Sequence, residues 1–331
     1  MRVVRWRRFG EPREVLALEE VPSPEPGPGE VKVRLEARAI HPSDLQNVRG
    51  QYGRPPPLPA TPGNDAAGVV VSTGEGVQGL APGQRVMLLL GATGGRGTWM
   101  DEVNVPSGRL VPTPAALSDA QAGALWVNYL SLWVMLEEVL ALKPGQVLVQ
   151  TAAGSQLGRA VMEHAAWKGL TVVNVVRRAE QAAELRAGGA SQVVVFPGED
   201  LGRAVRQVSG RGADAAIDAV GGETGAAVLS ALASGATCLV YGALDAGRPV
   251  PVEPGPFLFR ELRLQGFWLT RWLQSAGEER IRRGVAAVLE GVESGHYRPA
   301  VERVYPLSQL IAAVEHAERP GRRGSVVLGG G

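Results

Sequence analysis

The chain contains 331 residues, more than one hydrophobic core usually organises, so we expect two domains. Its composition is 45% apolar and 20% charged, with 34 basic and 33 acidic side chains. This excludes disordered, coiled-coil and collagen-like classes and gives no field that would attract nucleic acid or a membrane. A single cysteine, Cys238, excludes intrachain disulfides and multi-cysteine metal sites. No apolar run reaches the ~20 residues of a membrane span and the N terminus lacks a signal-peptide core, so we expect a cytoplasmic protein.

Residues 1–120 are divided into short segments by glycine and proline. Four segments have the pattern that is typical of strands, at 15–20, 31–39, 67–73 and 85–90. In the segment 31–39 the odd positions are apolar, whereas Lys32 and Arg38 are expected on the exposed face of a half-buried strand. The regular spacing of turn residues predicts a small domain of the β-barrel type.

The pattern changes near residue 121. A mostly apolar helical stretch at 120–140 is followed by alternating strand-like and helix-like segments. The predicted strands are 147–151, 171–176, 192–196, 213–219, 236–241 and 262–267, and the predicted helices are 156–168, 179–187, 201–208 and 224–232. This alternation predicts an α/β domain with a doubly wound parallel sheet, in which residues 121–295 are inserted between 1–120 and 296–331.

The first strand of this α/β domain ends in a glycine-containing turn that leads into the first helix. In a dinucleotide-binding fold, such a turn aims the N–H groups of the helix at the pyrophosphate. The glycine fingerprint is degraded here, because its three positions are Ala153, Ser155 and Gly158. Five residues of the turn are expected to bind the cofactor: Gly154, Ser155, Gln156, Leu157 and Gly158.

The second strand of this domain ends in Arg177 and Arg178, where an NAD-preferring fold carries an acidic residue that binds the ribose 2′-hydroxyl. A carboxylate would repel a 2′-phosphate, whereas a guanidinium binds one through two hydrogen bonds, so the sequence favours NADPH. The alternative is that these arginines are solvated residues at a helix N-terminus, and one of the two is expected to be only that.

Five stretches carry a recognisable pattern: 40–53, which includes Gly50-Gln-Tyr-Gly53, then 58–65, 97–99, 174–177 and 266–272. Together they resemble the medium-chain dehydrogenase/reductase superfamily, and within it the zinc-free 2-enoyl thioester reductases of mitochondrial type. The resemblance implies a GroES-like catalytic domain with an inserted Rossmann domain.

The resemblance also allows a metal site to be tested. The alcohol dehydrogenase branch that is resembled carries a catalytic cysteine near position 41 and Gly-His-Glu near 63–65, where this chain has His41 and Gly63-Asn64-Asp65. His41 and Asp65 could serve as two ligands, but a catalytic zinc needs three protein ligands and the sequence offers no third candidate. We therefore expect no metal.

Without a metal, the resemblance implies reduction of a double bond conjugated to a carbonyl, with hydride transfer to Cβ and protonation of Cα. Tyr52, in the Gly-x-Tyr-Gly motif, is the expected proton donor. Trp268 is expected to order the tyrosine and the substrate, and Asn47 to orient substrate or cofactor. The alternative roles are structural: Tyr52 as a loop cap, Trp268 as a packing residue and Asn47 as a partner of the backbone.

Further cofactor contacts are expected at Asn128, Ser131, Tyr241 and Phe267. The stretch Asn128-Tyr-Leu-Ser131 stands where the family has asparagine–proline–x–threonine near the nicotinamide. The proline is missing, and Leu132 and Trp133 replace a small residue and a tyrosine. This segment therefore departs from the family pattern.

The sequence thus predicts an NADPH-dependent reductase of α,β-unsaturated carbonyl compounds, with 2-enoyl thioesters of coenzyme A or acyl carrier protein as substrates. Two alternatives remain: an NADPH:quinone oxidoreductase of the same superfamily, and a non-catalytic nucleotide-binding protein. The resemblance also implies a homodimer whose Rossmann sheets pair through edge strands near 262–266. No nucleic-acid or membrane partner is expected.

Overall fold

A computed structural model describes residues 1–245 and 248–329, which form two compact units. Unit 1 comprises Met1–Asn128 and Arg298–Gly331, and unit 2 comprises Tyr129–Tyr297. Both junctions lie C-terminal to the boundaries expected from the sequence. The helices of the described residues do not combine the length and the apolar character needed to cross a bilayer.

The first segment of unit 1 is rich in short strands. Its elements are β1 (Arg2–Arg5), α1 (Pro12–Val15), β2 (Ala17–Glu20), β3 (Glu30–Ala39), α2 (Pro42–Val48), β4 (Ala66–Thr73), β5 (Arg85–Leu88), β6 (Glu102–Pro106), a 3-10 turn (Ser107–Arg109), β7 (Leu110–Pro112) and α3 (Asp119–Ala122). The next helix, α4 (Trp126–Trp133), crosses the boundary between the units and continues as a π-helical stretch, Val134–Val139.

Unit 2 alternates strands and helices. Its elements are β8 (Val147–Gln150), α5 (Gln156–Lys168), β9 (Thr171–Val176), α6 (Ala179–Ala187), β10 (Gln192–Val195), α7 (Leu201–Ser209), β11 (Ala213–Asp218), α8 (Gly222–Ser230), β12 (Leu232–Val240), α9 (Pro254–Phe259), β13 (Arg263–Gly266), α10 (Leu269–Ser275) and α11 (Gly277–Glu293). The chain then returns to unit 1 with β14 (Val301–Pro306), a 3-10 turn (Leu307–Gln309), α12 (Leu310–Glu318) and β15 (Ser325–Gly329).

The sheet of unit 2 has the strand order β10-β9-β8-β11-β12-β13, and every described pair is parallel. This is the order of two mononucleotide-binding halves joined at a switch point between β8 and β11, which confirms the Rossmann prediction. The apolar side chains of its strands and helices form one core, which includes Val149, Val175, Val228 and Cys238. Burial raises the pKa of the Cys238 thiol to about 12, so it acts as a small apolar residue.

The larger sheet of unit 1 has the order β14-β15-β3-β4-β5-β7, and β6 also pairs with β3. The separate pair β1-β2 is antiparallel. Strand β3 is therefore central, with β15, β4 and β6 bonded along its length. This mostly antiparallel arrangement agrees with the GroES-like domain that the resemblance implies.

The centrality of β3 makes one sequence prediction wrong. Lys32 and Arg38, expected on a solvent-exposed face, are buried, and Arg38 is wholly inaccessible. The Arg38 guanidinium donates to the carbonyl oxygens of Met100 and Leu328, which are contributed by other segments of the unit. A long aliphatic stem and five N–H donors let an arginine cross a covered sheet face and satisfy backbone acceptors there.

The predicted helix at 120–140 is also not continuous. Helix α3 ends at Ala122, and Gly123 is its C-cap residue. A Cβ at Gly123 would lie 2.7 Å from the backbone oxygen of Ala37 in β3, so the chain here passes too close to β3 for a side chain. The predicted strand at 15–20 begins too early, since Val15 belongs to α1 and the strand begins at Ala17.

Helix α11 was missed because glycine interrupts its apolar pattern. Gly284 packs so closely on Leu130 and Trp133 that a Cβ there would be 2.8 and 3.0 Å from their side chains. Glycine is thus a packing residue here, although it usually weakens a helix.

Candidate functional site

The turn between β8 and α5 in unit 2 is built as an anion-binding turn. Ser155 caps α5, with its Oγ accepting from the Gly158 N–H at 3.1 Å. Gly158 has no space for a side chain, since a Cβ would lie 2.5 Å from the Ala153 carbonyl oxygen. Ala152 holds a left-handed φ of +51°, which sharpens the turn before the helix. The free N–H groups of the helix start can therefore reach a phosphate.

Buried polar side chains hold the strand ends around this turn, and the sequence reasoning missed them. Gln150 Nε2 donates to the Gly158 carbonyl at 3.0 Å and to Asn174 Oδ1 at 2.7 Å, which joins β8, α5 and β9. Thr151 Oγ1 donates to Asp218 Oδ1 at 2.6 Å, and Asp218 accepts the backbone N–H of Gly221. Polar residues at the end of otherwise apolar strands were the available signal.

Two polar atoms at this edge fit a bound dinucleotide. Within residues 1–245 and 248–329, Gln156 Oε1 and the Tyr241 hydroxyl are buried without a hydrogen-bond partner. Gln156 begins α5 and Tyr241 directly follows β12, so both lie at the carboxyl edge of the parallel strands, where dinucleotides bind in this fold. Buried groups without partners are costly, and a ligand that supplies the missing bonds removes that cost. Burial raises the pKa of the Tyr241 hydroxyl, so it stays neutral.

The other predicted cofactor residues are placed as follows. Arg177 is exposed directly after β9, and Arg178 is the N-cap residue of α6. Neither guanidinium has an ion-pair partner in the described part of the chain. Leu157 is buried in α5, and the Phe267 backbone N–H donates to the Val240 carbonyl at 2.8 Å. Asn128 is buried in α4, and Ser131 is half-buried one turn later.

Unit 1 contains a polar pocket of about 150 Å³, called the unit 1 pocket below. It is lined by Asp44 and Asn47 of α2, by Asn64, by Thr98 and by the glycine-rich loop 91–97. Burial raises the pKa of Asp44 to about 6, although the His41 imidazole and hydrogen bonds from the His41 N–H and Asn64 lower it. The structure therefore brings Asn47 to a pocket that also holds an ionisable carboxyl.

The remaining predicted catalytic residues, Tyr52 and Trp268, lie outside the unit 1 pocket. Tyr52 is half-buried in the bend that follows α2 and is not one of the lining residues of the unit 1 pocket. Trp268 in unit 2 is the N-cap residue of α10 and is 40% exposed. Their assignment to catalysis stays a prediction.

His41 and Asp65, the two possible metal ligands that the sequence offers, contact each other. The His41 Nε2 lies 2.9 Å from Asp65 Oδ2, and the carboxyl of Asp65 also accepts the Val127 backbone N–H. Burial lowers the pKa of His41, but the hydrogen bond and charge of Asp65 outweigh it and raise the pKa overall. Among residues 1–245 and 248–329, no three His, Cys, Asp or Glu side chains are grouped to hold a metal ion.

Two family models match the chain. One, described as alcohol dehydrogenase GroES-like domain, matches residues 27–115, and the other, described as zinc-binding dehydrogenase, matches residues 157–287. The mitochondrial enoyl-[acyl-carrier-protein] reductase of Xenopus tropicalis is 30% identical over 325 residues, covering 95% of this chain and 91% of the relative. The human protein of that name is also 30% identical, covering 97% of this chain and 86% of the relative.

The chain belongs to the medium-chain dehydrogenase/reductase superfamily. A further relative in the superfamily is the human synaptic vesicle membrane protein VAT-1 homolog, 30% identical and covering 92% of this chain and 80% of the relative. Among solved structures, a Pseudomonas syringae quinone oxidoreductase superposes with a TM-score of 0.86 at 25% identity, covering 99% of each chain. A mycobacterial protein solved with NADPH has a TM-score of 0.86 at 26% identity and the same coverage. This superfamily member is an oxidoreductase that uses a nicotinamide dinucleotide.

The close approach at Gly158 gives a test of the nucleotide turn. We expect Gly158→Ala to weaken NADPH binding at least about tenfold, because the new Cβ would push α5 away from the turn and misalign its N–H groups. Gly255→Ala is the matched control, since its nearest neighbour would be a Phe259 carbon at 3.9 Å. Binding is measured by NADPH fluorescence titration. Equal affinities for the two variants would contradict this role of Gly158.

Proposed function

We propose that the protein is an NADPH-dependent reductase of the carbon–carbon double bond of 2-enoyl thioesters. The observation that carries the proposal is the similarity to mitochondrial enoyl reductases, 30% identical over 95–97% of the chain. The coenzyme, when bound, supplies a hydride. The residues of the turn at 151–158 would hold its pyrophosphate, and Gln156 Oε1 and the Tyr241 hydroxyl, which have no hydrogen-bond partner among the described residues, would form hydrogen bonds with it.

Residues of the chain stabilise the charge on the substrate, protonate it and order it. Hydride arrival at Cβ leaves negative charge on the carbonyl oxygen, which hydrogen-bond donors stabilise, and Cα must receive a proton. Tyr52 donates that proton, because a phenol with a pKa of about 10 is protonated at neutral pH and acidic enough for an enolate carbon. Asn47, on the wall of the unit 1 pocket, is suited to donate an amide N–H to the thioester. Trp268 orders the substrate.

A second candidate is reduction of quinones. It is supported by the solved quinone oxidoreductase that superposes on the whole chain. Quinone reduction needs the hydride but no dedicated acid on the protein, since a reduced quinone oxygen takes a proton from water. The two candidates therefore differ in their need for Tyr52.

Tyr52→Phe separates these candidates. We expect it to lower kcat with short and medium 2-enoyl-CoA by about 100-fold or more, the usual contribution of a general acid, and to leave quinone turnover largely unchanged. The measurement is NADPH oxidation with both substrates. Tyr305→Phe is the control, because it removes a hydroxyl that contacts His316 Nδ1 at 3.0 Å elsewhere in unit 1. Full enoyl turnover in Tyr52→Phe would reject Tyr52 as the acid.

The coenzyme preference depends on Arg177. We expect Arg177→Ala to raise the KM for NADPH by about 10- to 100-fold, because a charged hydrogen bond to the 2′-phosphate contributes about 1.5–3 kcal/mol, and to leave the KM for NADH unchanged. The control is Arg203→Ala, an exposed arginine of α7. If Arg178→Ala has the effect instead, the two arginines exchange roles. If neither has it, NADPH preference does not depend on this strand end.

We also propose a homodimer formed through β13. This strand is at the end of the described sheet order, and its side chains are exposed. Leu264, together with Leu258 and Phe259 of α9, leaves an apolar surface beside it, which an edge strand in a monomer would normally avoid.

Light scattering tests the dimer. The expected mass is twice that of the 34.8 kDa chain, and Leu264→Lys should give the mass of one chain by placing like charges across the paired strands. Arg34→Lys, on an exposed position of unit 1, is the control. A monomeric wild type would contradict the proposal.

A further inference from the structure

His41 and Asp65, the residues that a zinc site would need, contact each other instead. His41 immediately precedes α2 and Asp65 immediately precedes β4, so their 2.9 Å contact joins segments that are 24 residues apart in sequence. Both side chains are buried within unit 1. A buried imidazole beside a carboxylate donates its Nε2 proton to it, which fixes the ring orientation.

The carboxylates near this pair are already occupied. Both oxygens of Asp65 lie within reach of the Val127 backbone N–H, at 3.1 and 3.2 Å. The Asp44 carboxylate accepts the His41 backbone N–H at 2.8 Å and Asn64 Nδ2 at 2.6 Å. Each acidic group near His41 therefore holds a backbone N–H donor of its own unit.

These residues do not fit zinc. His41 and Asp65 offer one imidazole and one carboxylate, and in the described part of the chain no three His, Cys, Asp or Glu side chains are grouped to hold a metal ion. A zinc ion on Asp65 would also compete with the Val127 N–H for the carboxyl oxygens. Buried N–H groups without acceptors are costly, and a catalytic zinc needs three protein ligands in tetrahedral arrangement. The family model described as zinc-binding dehydrogenase thus matches a chain whose candidate ligands are engaged with one another.

We propose that the His41–Asp65 pair, the His41–Asp65 brace below, is a metal-free positioning device for the unit 1 pocket. The inference rests on the proposed function, in which Asn47 on the wall of this pocket donates an N–H to the thioester of the substrate. The brace ties the start of α2 to Asp65, and Asp65 in turn holds the Val127 N–H in the first turn of α4.

The brace reaches the pocket through α2. Asp44 and Asn47 stand three residues apart on this helix, so they share the face that lines the unit 1 pocket. Asn64, next to Asp65, completes this wall by donating to Asp44. Loss of the brace therefore releases one wall of the pocket, while the nucleotide turn of unit 2 keeps its own hydrogen bonds.

The test separates positioning from general stability. We expect His41→Ala to raise the KM for the reducible substrate and to lower kcat/KM by about 10- to 100-fold, the cost of a displacement of about 1 Å at a site, with an unchanged Kd for NADPH. His41→Gln, which keeps an N–H donor, should restore most of the KM. The double variant Asp65→Asn/His41→Ala should change the KM no more than the single variant with the larger effect, because the two residues act as one unit.

A role in stability alone predicts another result. If the pair only stabilised the fold, its loss would lower Tm and would reduce kcat in proportion to the amount of folded protein, with an unchanged KM. That outcome would overturn the proposal. If His41→Ala does not fold, the comparison of His41→Gln with wild type carries the test. Because Gln keeps an N–H donor, a KM for His41→Gln that is raised as much as the KM expected for His41→Ala would then oppose the proposal.

Metal analysis tests the other half of the proposal and does not depend on activity. Purified wild type should contain far less than one zinc per chain by mass spectrometry, and dialysis against EDTA should leave Tm unchanged. One zinc per chain that is absent from His41→Gln would overturn the proposal.

The proposed enoyl reduction and the proposed role of the His41–Asp65 brace can fail separately. If enoyl thioesters are not reduced but quinones are, the KM comparison is made with the quinone. If neither is reduced, a downfield proton resonance of the His41 ring that is lost in Asp65→Asn still identifies the brace, and its absence from the wild type opposes it.

Discussion

The structure depends on one requirement: buried polar side chains must find hydrogen-bond partners. In unit 2 the requirement is met at the carboxyl ends of the strands, where Thr151 bonds Asp218 and Gln150 bonds Asn174. In unit 1 it is met around Asp65. Because each of these bonds joins separate segments, satisfying the buried groups also fixes the positions of the turns and helices that carry the chemistry.

The first half of the Rossmann unit was predictable in detail because its signals are local. Helix α5 begins after the Ser155 cap and ends before Gly169 in a left-handed conformation, and its predicted bounds agree with the structure. Strand β9 agrees for the same reason, since a run of β-branched residues lies between turn residues. In unit 1 the controlling contacts are distant. The burial of Arg38 depends on the carbonyls of Met100 and Leu328, which no alternation pattern can reveal.

In the candidate site, too, the features set by local sequence could be predicted and those set by distant contacts could not. The turn at 151–158 could be predicted because a strand, a glycine turn and a helix follow each other directly in the sequence. The bond between His41 and Asp65 could not, because the resemblance suggested these two residues only as ligands of one metal and no sequence pattern shows that they bond to each other. The sequence also offered no way to see that Asp44 would be held by Asn64, since the contact depends on how α2 packs.

The way in which His41 and Asp65 are used bears on the chemistry that the site can support. A metal ion polarises a carbonyl strongly, whereas neutral hydrogen-bond donors do so weakly unless they are preorganised and shielded from water. An alcohol–ketone conversion needs the stronger polarisation at the carbonyl that reacts. A double bond conjugated to a thioester is already electrophilic at Cβ, and the charge that develops on its oxygen is delocalised. In the proposed function Asn47 is such a donor, and its position is fixed by a buried pair that ties α2 to its neighbours. The proposal of conjugate reduction therefore depends on a polar amide held at a small pocket by acidic residues that bond to the backbone.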